Sequence, residues 1–103
     1  MAERLEMKLI NRGNEGEILL TGALDTVTSV DAEEHFNAAA ERFDQIILNM
    51  ADLKYVSSAG LRIIKLLHVK MNKKDGKLLI SNVNDNVMEV FEITGFAGLL
   101  NIV

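Results

Sequence analysis

The fold class follows from residues 45–50, which read QIILNM and contain an apolar run at positions 46–48. A similar apolar run at residues 18–20 precedes it. Short continuous apolar runs are typical of parallel strands that are buried on both faces of a sheet. We therefore expect two central strands of this kind, with the residues between them forming the connection.

That connection is predicted to be an amphipathic helix. Apolar residues recur in it at spacings of three and four, and charged residues occupy the other side. The apolar positions are Ala32, Phe36, Ala39, Ala40 and Phe43. Thr26 or Thr28 can supply the N-cap oxygen, and the acidic residues near the start are favoured by the helix dipole. Two strands joined by a helix predict parallel pairing through a right-handed crossover.

The chain is predicted to open with a β-hairpin. Residues 5–9 alternate between apolar and charged side chains, as a half-buried strand does, with Leu5, Met7 and Leu9 as the apolar set. Residues 11–17 contain two glycines and are expected to turn the chain into the next strand.

Two further helices follow the central strands. The second helix is predicted to end near Asp75 and Gly76, and the third to be capped by Asn84 or Asp85 and closed by Gly95. The second helix carries an apolar stripe of Leu61, Ile64, Leu67, His68 and Met71.

A strand at residues 77–81 separates these helices, and residues 99–103 form a brief apolar strand at the end. The order β-β-α-β-α-β-α-β predicts an α/β fold, a mixed sheet flanked by α-helices. No linker, repeat or shift in composition divides the chain, so we expect a single domain over residues 1–103.

Composition narrows the classes of partner. The chain contains no cysteine, which excludes disulfides and thiol catalysis and fits a cytoplasmic location. The formal net charge of −4 argues against direct nucleic-acid binding, which needs a basic surface. No segment approaches the roughly 20 apolar residues of a membrane span, so membrane insertion is not expected.

The motifs of common enzymes and cofactor sites are missing from the sequence. Neither phosphate-binding glycine pattern follows a predicted strand, and the two histidines, His35 and His68, fall on different predicted helices and are not expected to share a metal ion. Ser57 and Ser58 lack the leading glycine of a hydrolase nucleophile motif. We expect no metal, no cofactor and no catalytic activity.

Residues 52–62, which read DLKYVSSAGLR, are the strongest candidate for a functional segment. They are expected to join a buried strand to the second helix, at the sheet edge where α/β proteins place their sites. Ser57 or Ser58 can cap that helix. A serine there can also carry a phosphoryl group, because the free N–H groups and the helix dipole favour anions.

Four motifs together resemble the STAS domain family, the sulphate-transporter and anti-sigma-factor-antagonist domains. They are LTGALD at residues 20–25, LNMADL at residues 48–53, YVSSAGL at residues 55–61 and VMEVFEITGF at residues 87–96. The resemblance covers nearly the whole chain. It is closest to the stand-alone bacterial anti-sigma factor antagonists.

The resemblance implies a binding function and a switch. Such an antagonist binds an anti-sigma factor that is also a serine kinase, so that a sigma factor is released. The kinase then phosphorylates a serine of the antagonist, which ends binding, and a phosphatase of the PP2C type restores it.

Matching the family motif Asp-Ser-Ser/Thr-Gly-Leu to this chain at Gly60 and Leu61 places the phosphorylated serine on Ser58. Ser57 stands where the family has an aspartate, which makes it a rival acceptor, and Ala59 replaces the second hydroxyl residue. The partner-binding residues that the resemblance implies are Asp25, Ser57, Ser58, Ala59, Gly60 and Arg62.

An alternative function remains open within the same family. The chain could be a STAS interaction subunit of another complex, such as a lipid-transport ATPase or a stress-signalling assembly, with Ser58 serving only as a helix cap. Relatives often carry one more helix beyond Val103, so we expect either a minimal version of the domain or a chain that lacks this helix.

Overall fold

The computed structural model describes residues 4–103 and contains five strands and four helices. The strands are β1 (Leu5–Arg12), β2 (Glu15–Leu24), β3 (Gln45–Val56), β4 (Lys77–Ser81) and β5 (Asn101–Ile102), and the helices are α1 (Thr28–Arg42), α2 (Ser58–Lys73), α3 (Asp85–Thr94) and α4 (Phe96–Leu99). This order confirms the prediction and adds one element, the single-turn helix α4. The first three residues of the expected domain lie outside the described part of the chain.

The sheet is mixed, as predicted, and its strands lie in the order β1-β2-β3-β4-β5. β1 and β2 are antiparallel, and the other neighbouring pairs are parallel. The hairpin turn is shorter than the sequence suggested, because β1 continues to Arg12 and β2 begins at Glu15. Gly13 makes this tight turn possible with a φ of +80°, which residues with a side chain rarely adopt.

The helices pack on one face of the sheet, so the expectation of strands buried on both faces was wrong. In β3 the side chains of Ile46, Leu48 and Met50 are buried, whereas Ile47 is only half-buried. Each crossover from β2 to β5 steps in the same direction across the sheet. Right-handed crossovers that step in one direction place their helices on one face, which leaves the other face without a covering layer.

Strand β3 is longer than predicted and includes residues 52–56, which the sequence suggested were a loop. Two register shifts between β2 and β3 let pairing continue to the last pair, Leu24 with Val56. Leu53 and Val56 are buried in the core. The strand therefore extends to the residue before Ser57, and this extension determines where α2 begins.

The predicted apolar stripes of α1 and α2 are confirmed, since every apolar residue in both stripes is buried in one core. His68 also belongs to this buried set. The hairpin prediction was wrong at Leu9, which is 46% exposed, because no helix covers that part of β1.

The sequence left the starts of α1, α2 and α3 open, with two candidate capping residues for each, and the structure decides all three. Asn84 rather than Asp85 caps α3, its side chain accepting a hydrogen bond from the Val87 amide at 2.9 Å. The N-cap position of α1 is Val27, so the prediction that Thr26 or Thr28 occupies it was wrong. The side chain of Asp25 takes over this role, as described below.

Candidate functional site

The candidate site lies at the carboxyl ends of the neighbouring parallel strands β2 and β3. Their last paired residues are Leu24 and Val56, so Asp25 and Ser57 follow them directly. The Ser57 amide donates a hydrogen bond to the Leu24 carbonyl at 2.8 Å, which ties the two strand ends together. The structure thus brings Asp25 and the serine pair to one edge of the sheet.

Ser57 is the N-cap of α2. Its hydroxyl oxygen accepts a hydrogen bond from the Gly60 amide at 3.3 Å, and its carbonyl accepts one from the Leu61 amide at 2.9 Å. The Ser57 backbone is extended, with φ −91° and ψ 176°, as is usual for a capping residue. The Ser57 side chain therefore has a structural role in beginning the helix.

Ser58 occupies the first helical position and is exposed. Its hydroxyl makes no hydrogen bond with any other residue in the range 4–103. The expectation that Ser58 serves only as a cap is wrong, because Ser57 fills that role. The amides of Ser58 and Ala59 have no intrahelical acceptor, so they remain available to an anion at this end of α2.

Gly60 allows α2 to begin close to the end of β2. A Cβ atom added at Gly60 would lie 2.8 Å from both the carbonyl oxygen and the Cγ of Leu24. Gly60 is buried, and Ala59 beside it is half-buried. Gly60 thus acts by positioning the Ser57–Ser58 pair against the sheet.

Asp25 organises the turn between β2 and α1. One of its carboxylate oxygens accepts hydrogen bonds from the amides of Val27 and Thr28, each at 2.9 Å. The Thr28 hydroxyl accepts a hydrogen bond from the Asp25 amide and donates one to the Ala23 carbonyl. The carboxylate of Asp25 thus accepts hydrogen bonds from two amides at the start of α1, as the side chain of an N-cap residue usually does.

The same hydrogen bonds lower the pKa of Asp25. The bond from the Thr28 amide has the largest effect on this pKa. Desolvation opposes it by a smaller amount, and the bond from the Val27 amide lowers the pKa further. Asp25 is therefore an anion at neutral pH. It supplies a fixed negative charge at the same edge of the sheet as Ser58.

Arg62 lies one helical turn after Ser58 and connects α2 to α1. Its guanidinium is 3.7 Å from the Glu33 carboxylate, and both side chains are partly exposed. Farther along the helix pair, Lys70 donates to Asn37 at 2.8 Å and Lys74 donates to the Ala40 carbonyl at 2.7 Å. These contacts hold α1 beside α2, so that both helices begin at the edge that carries the site.

Sequence reasoning missed two exposed valines at the start of α1. Val27 is 79% exposed and Val30 is 70% exposed, and both lie close in sequence to Asp25. Their spacing of three residues places them on one side of the first turn. The sequence did contain a signal for them, because both valines are apolar and yet fall outside the predicted apolar stripe of α1.

Asn84 links a third strand end to the site. Its side-chain amide donates to the Leu53 carbonyl at 2.6 Å, and its oxygen caps α3. This residue was predicted as a cap, but its contact with β3 was not. It fixes the last part of β3, on which the position of Ser57 depends.

Within residues 4–103 no cluster of three or more histidine or acidic side chains could hold a metal ion. In the same part of the chain, none of the helices is long and apolar enough to cross a membrane.

The STAS domain family profile matches residues 8–103, so the chain belongs to the STAS domain family. Among curated relatives, the anti-sigma-B factor antagonist of Staphylococcus aureus strain NCTC 8325 is 29% identical over 87 residues, which cover 84% of this chain and 81% of that protein. BtrV of Bordetella bronchiseptica, provisionally named an anti-sigma factor antagonist, is 30% identical over 81 residues, which cover 78% of this chain and 70% of BtrV. The resemblance found from the motifs is confirmed.

Solved structures share the fold. An anti-sigma factor antagonist from Mycobacterium paratuberculosis superposes with a TM-score of 0.84 at 16% identity, covering 95% of this chain and 84% of that one. The Bacillus cell fate determinant SpoIIAA in its phosphorylated form gives a TM-score of 0.74 at 17% identity, covering 96% of this chain and 90% of that one. The predicted fold class is therefore confirmed. The names of these proteins describe regulators rather than enzymes.

Proposed function

We propose that this chain is an anti-sigma factor antagonist that binds an anti-sigma factor, releases a sigma factor, and is switched off by phosphorylation of Ser58. The names of its relatives support the first part of this proposal. The observation that carries the second part is the state of Ser58, an exposed serine at the first position of α2 whose hydroxyl has no partner within residues 4–103.

Ser58 is a better phosphate acceptor than its rival Ser57. The Ser57 hydroxyl is engaged with the Gly60 amide and is less exposed. Phosphorylating Ser57 would disturb the cap of α2, whereas Ser58 can be modified without breaking a hydrogen bond. The amides of Ser58 and Ala59 would stabilise the added phosphate, as helix N-termini do for anions.

The effect of the phosphate follows from the charge around it. Phosphorylation adds about −1.5 to −2 charges at neutral pH. Asp25 already supplies a negative charge at the same edge and stays ionised because its pKa is lowered. A partner matched to one carboxylate and a neutral hydroxyl would then be repelled, without any change in the fold of the antagonist.

The surface offered to the partner combines charge with apolar contact. We define the docking surface as Asp25, Val27, Val30, Ser58 and Arg62. The two exposed valines supply apolar area beside the charged groups, which is the usual composition of a protein-binding patch. Of the other expected partner-binding residues, Ala59 contributes a small half-buried contact, and Ser57 and Gly60 act through the position of α2.

The proposed partner is an anti-sigma factor that is also a serine kinase, and a phosphatase of the PP2C type would reverse the modification. The test is calorimetric titration of the purified kinase with three variants of this chain. Ser58→Ala should bind as the unmodified protein does, and Ser58→Asp should lose most of the affinity. Ser57→Thr, which keeps a capping hydroxyl, should bind normally as the matched control.

Equal binding by Ser58→Ala and Ser58→Asp would contradict the switch but leave the antagonist role intact. Failure of every variant, and of the unmodified chain, to bind any anti-sigma factor kinase would contradict the antagonist role itself. In that case the alternative function, a STAS interaction subunit of another complex, becomes the better proposal.

A further inference from the structure

β1 is an edge strand whose outer side has no neighbouring strand among residues 4–103. The Ala23 amide donates to the Arg4 carbonyl at 3.3 Å, so even-numbered residues of this segment direct their backbone groups toward β2. In an antiparallel pair the alternate residues direct theirs the other way. The N–H and C=O groups of Leu5, Met7 and Leu9 therefore point outward, ready to pair with another strand.

On the helix side of this edge Leu5 and Met7 are half-buried against the core, whereas Leu9 is left uncovered. Leu9 is 46% exposed although it lies opposite the buried Ile18. A cavity of about 160 Å³ opens beside it, between Met7 and Leu9 on the strand and Ala39 and Phe43 at the end of α1. An open edge beside an exposed apolar side chain is a template for adding a strand.

We propose that β1 pairs in an antiparallel manner with β1 of a second copy of this chain, with Met7 of each copy at the two-fold axis. In this register Leu5 lies opposite Leu9 of the second copy, and Glu6 lies opposite Lys8. All residues with outward-directed backbone groups then face one another, so the hydrogen bonds form at Leu5, Met7 and Leu9.

Charge complementarity between Glu6 and Lys8 favours this register for a second copy of the chain. Two-fold symmetry makes each Glu6–Lys8 pair occur twice, on the face of the sheet that has no helices. Sliding one copy by two residues would place Lys8 opposite Lys8, and sliding it the other way would place Glu6 opposite Glu6. Like charges directly opposite one another destabilise a strand pair, so the proposed register is favoured over both of these two-residue shifts.

The pairing leaves the docking surface free. β1 lies at one end of the sheet, whereas Asp25 and Ser58 lie at the carboxyl ends of β2 and β3. Because the two copies run antiparallel, their two docking surfaces come to opposite edges of the joined sheet. The dimer does not depend on the proposed function, because none of the residues of the docking surface lies in β1.

The test is sedimentation equilibrium of the full chain over a dilution series, with charge-reversal variants. Lys8→Glu and Glu6→Lys should each weaken dimerisation roughly tenfold, because two opposite-charge pairs become like-charge pairs. The double variant Glu6→Lys/Lys8→Glu should restore it. Thermal unfolding of each variant verifies that the monomer is still folded.

Amide hydrogen exchange supplies a second readout within the same strand. The Met7 and Leu9 amides should become protected as the protein is concentrated. The Glu6 and Lys8 amides, which face β2, should be protected at every concentration and serve as the internal control. A chain that stays monomeric throughout, a double variant that does not recover, or a dimer whose Met7 and Leu9 amides exchange freely would each overturn the proposal.

Discussion

Replacing Ser57 by alanine is predicted to destabilise the domain, whereas the same change at Ser58 is not. Ser57→Ala removes the hydroxyl that accepts a hydrogen bond from the Gly60 amide. Loss of an N-cap costs about 0.5–2 kcal/mol of the free energy of unfolding. The N–O distance of 3.3 Å is longer than that of a typical hydrogen bond. We therefore expect the lower half of that range, about 0.5–1 kcal/mol.

Ser58→Ala removes no hydrogen bond within residues 4–103 and replaces a serine by the strongest helix former. Its unfolding free energy should therefore be equal to that of the unmodified chain or slightly higher. Urea denaturation followed by circular dichroism measures both variants, with Ser57→Thr as a control that keeps a capping hydroxyl. In a thermal scan Ser57→Ala should lower Tm by a few degrees, since about 1 kcal/mol corresponds to roughly 4–8 °C for a domain of this size.

A loss of stability in Ser58→Ala as large as that in Ser57→Ala would refute this reasoning. It would mean that α2 begins one residue later and that Ser58 is its cap. The argument for Ser58 as a free phosphate acceptor would then fail with it.

Three further changes test the site and the core. Gly60→Ala should destabilise the domain by about 1–3 kcal/mol, because the added Cβ would lie 2.8 Å from the Leu24 carbonyl oxygen. Gly98→Ala is the control and should cost little, because a Cβ at Gly98 meets nothing within 4 Å; urea denaturation measures both. Phe36→Ala should cost about 3–5 kcal/mol in the same assay, since Phe36 is 1% exposed, and a cost near zero would contradict its place in the core. Asp25 has a lowered pKa, so the stability that its carboxylate contributes is present above the unfolded-state pKa and is lost as the pH falls through the folded-state pKa. Asp25→Asn should therefore be less stable than the unmodified protein at neutral pH and should lose less stability on acidification. The measurement is the unfolding free energy from urea denaturation at a series of pH values down to about pH 2, and the same dependence on pH in both proteins would contradict this.

The alternation of strands and helices could be predicted because each element carries its own local signal. Phe36 and its neighbours repeat at helical spacing, and the run at residues 46–48 is too short and too apolar for a surface helix. Asn84 at the start of α3 and Gly95 at its end are also local signals. These features need no knowledge of the rest of the chain.

The features that the sequence left open depend on contacts between distant segments. Two adjacent serines have equal local claims to cap α2, and the choice is made by pairing between β2 and β3 that continues to Leu24 and Val56. The same pairing converts residues 52–56 from an expected loop into strand. The apolar run of β3 predicts a buried strand but does not say that only one face is covered, since that follows from the direction of all the crossovers.

The candidate site was predicted in its position but not in its details. Asp25 and Ser58 were expected at one sheet edge, and the structure brings them there. The hydrogen bonds of Asp25 to Val27 and Thr28 were not foreseen, because a carboxylate two or three residues ahead of a helix has several possible partners. Assignment of Ser58 as the phosphorylated residue remains a prediction.

Peptide mapping by mass spectrometry of the protein recovered from its own cells, with phosphatase activity blocked, tests the central claim most directly. We expect a phosphate on Ser58, with Ser57 unmodified. A phosphate found only on Ser57, or an unmodified chain under all conditions of growth and stress, would contradict it.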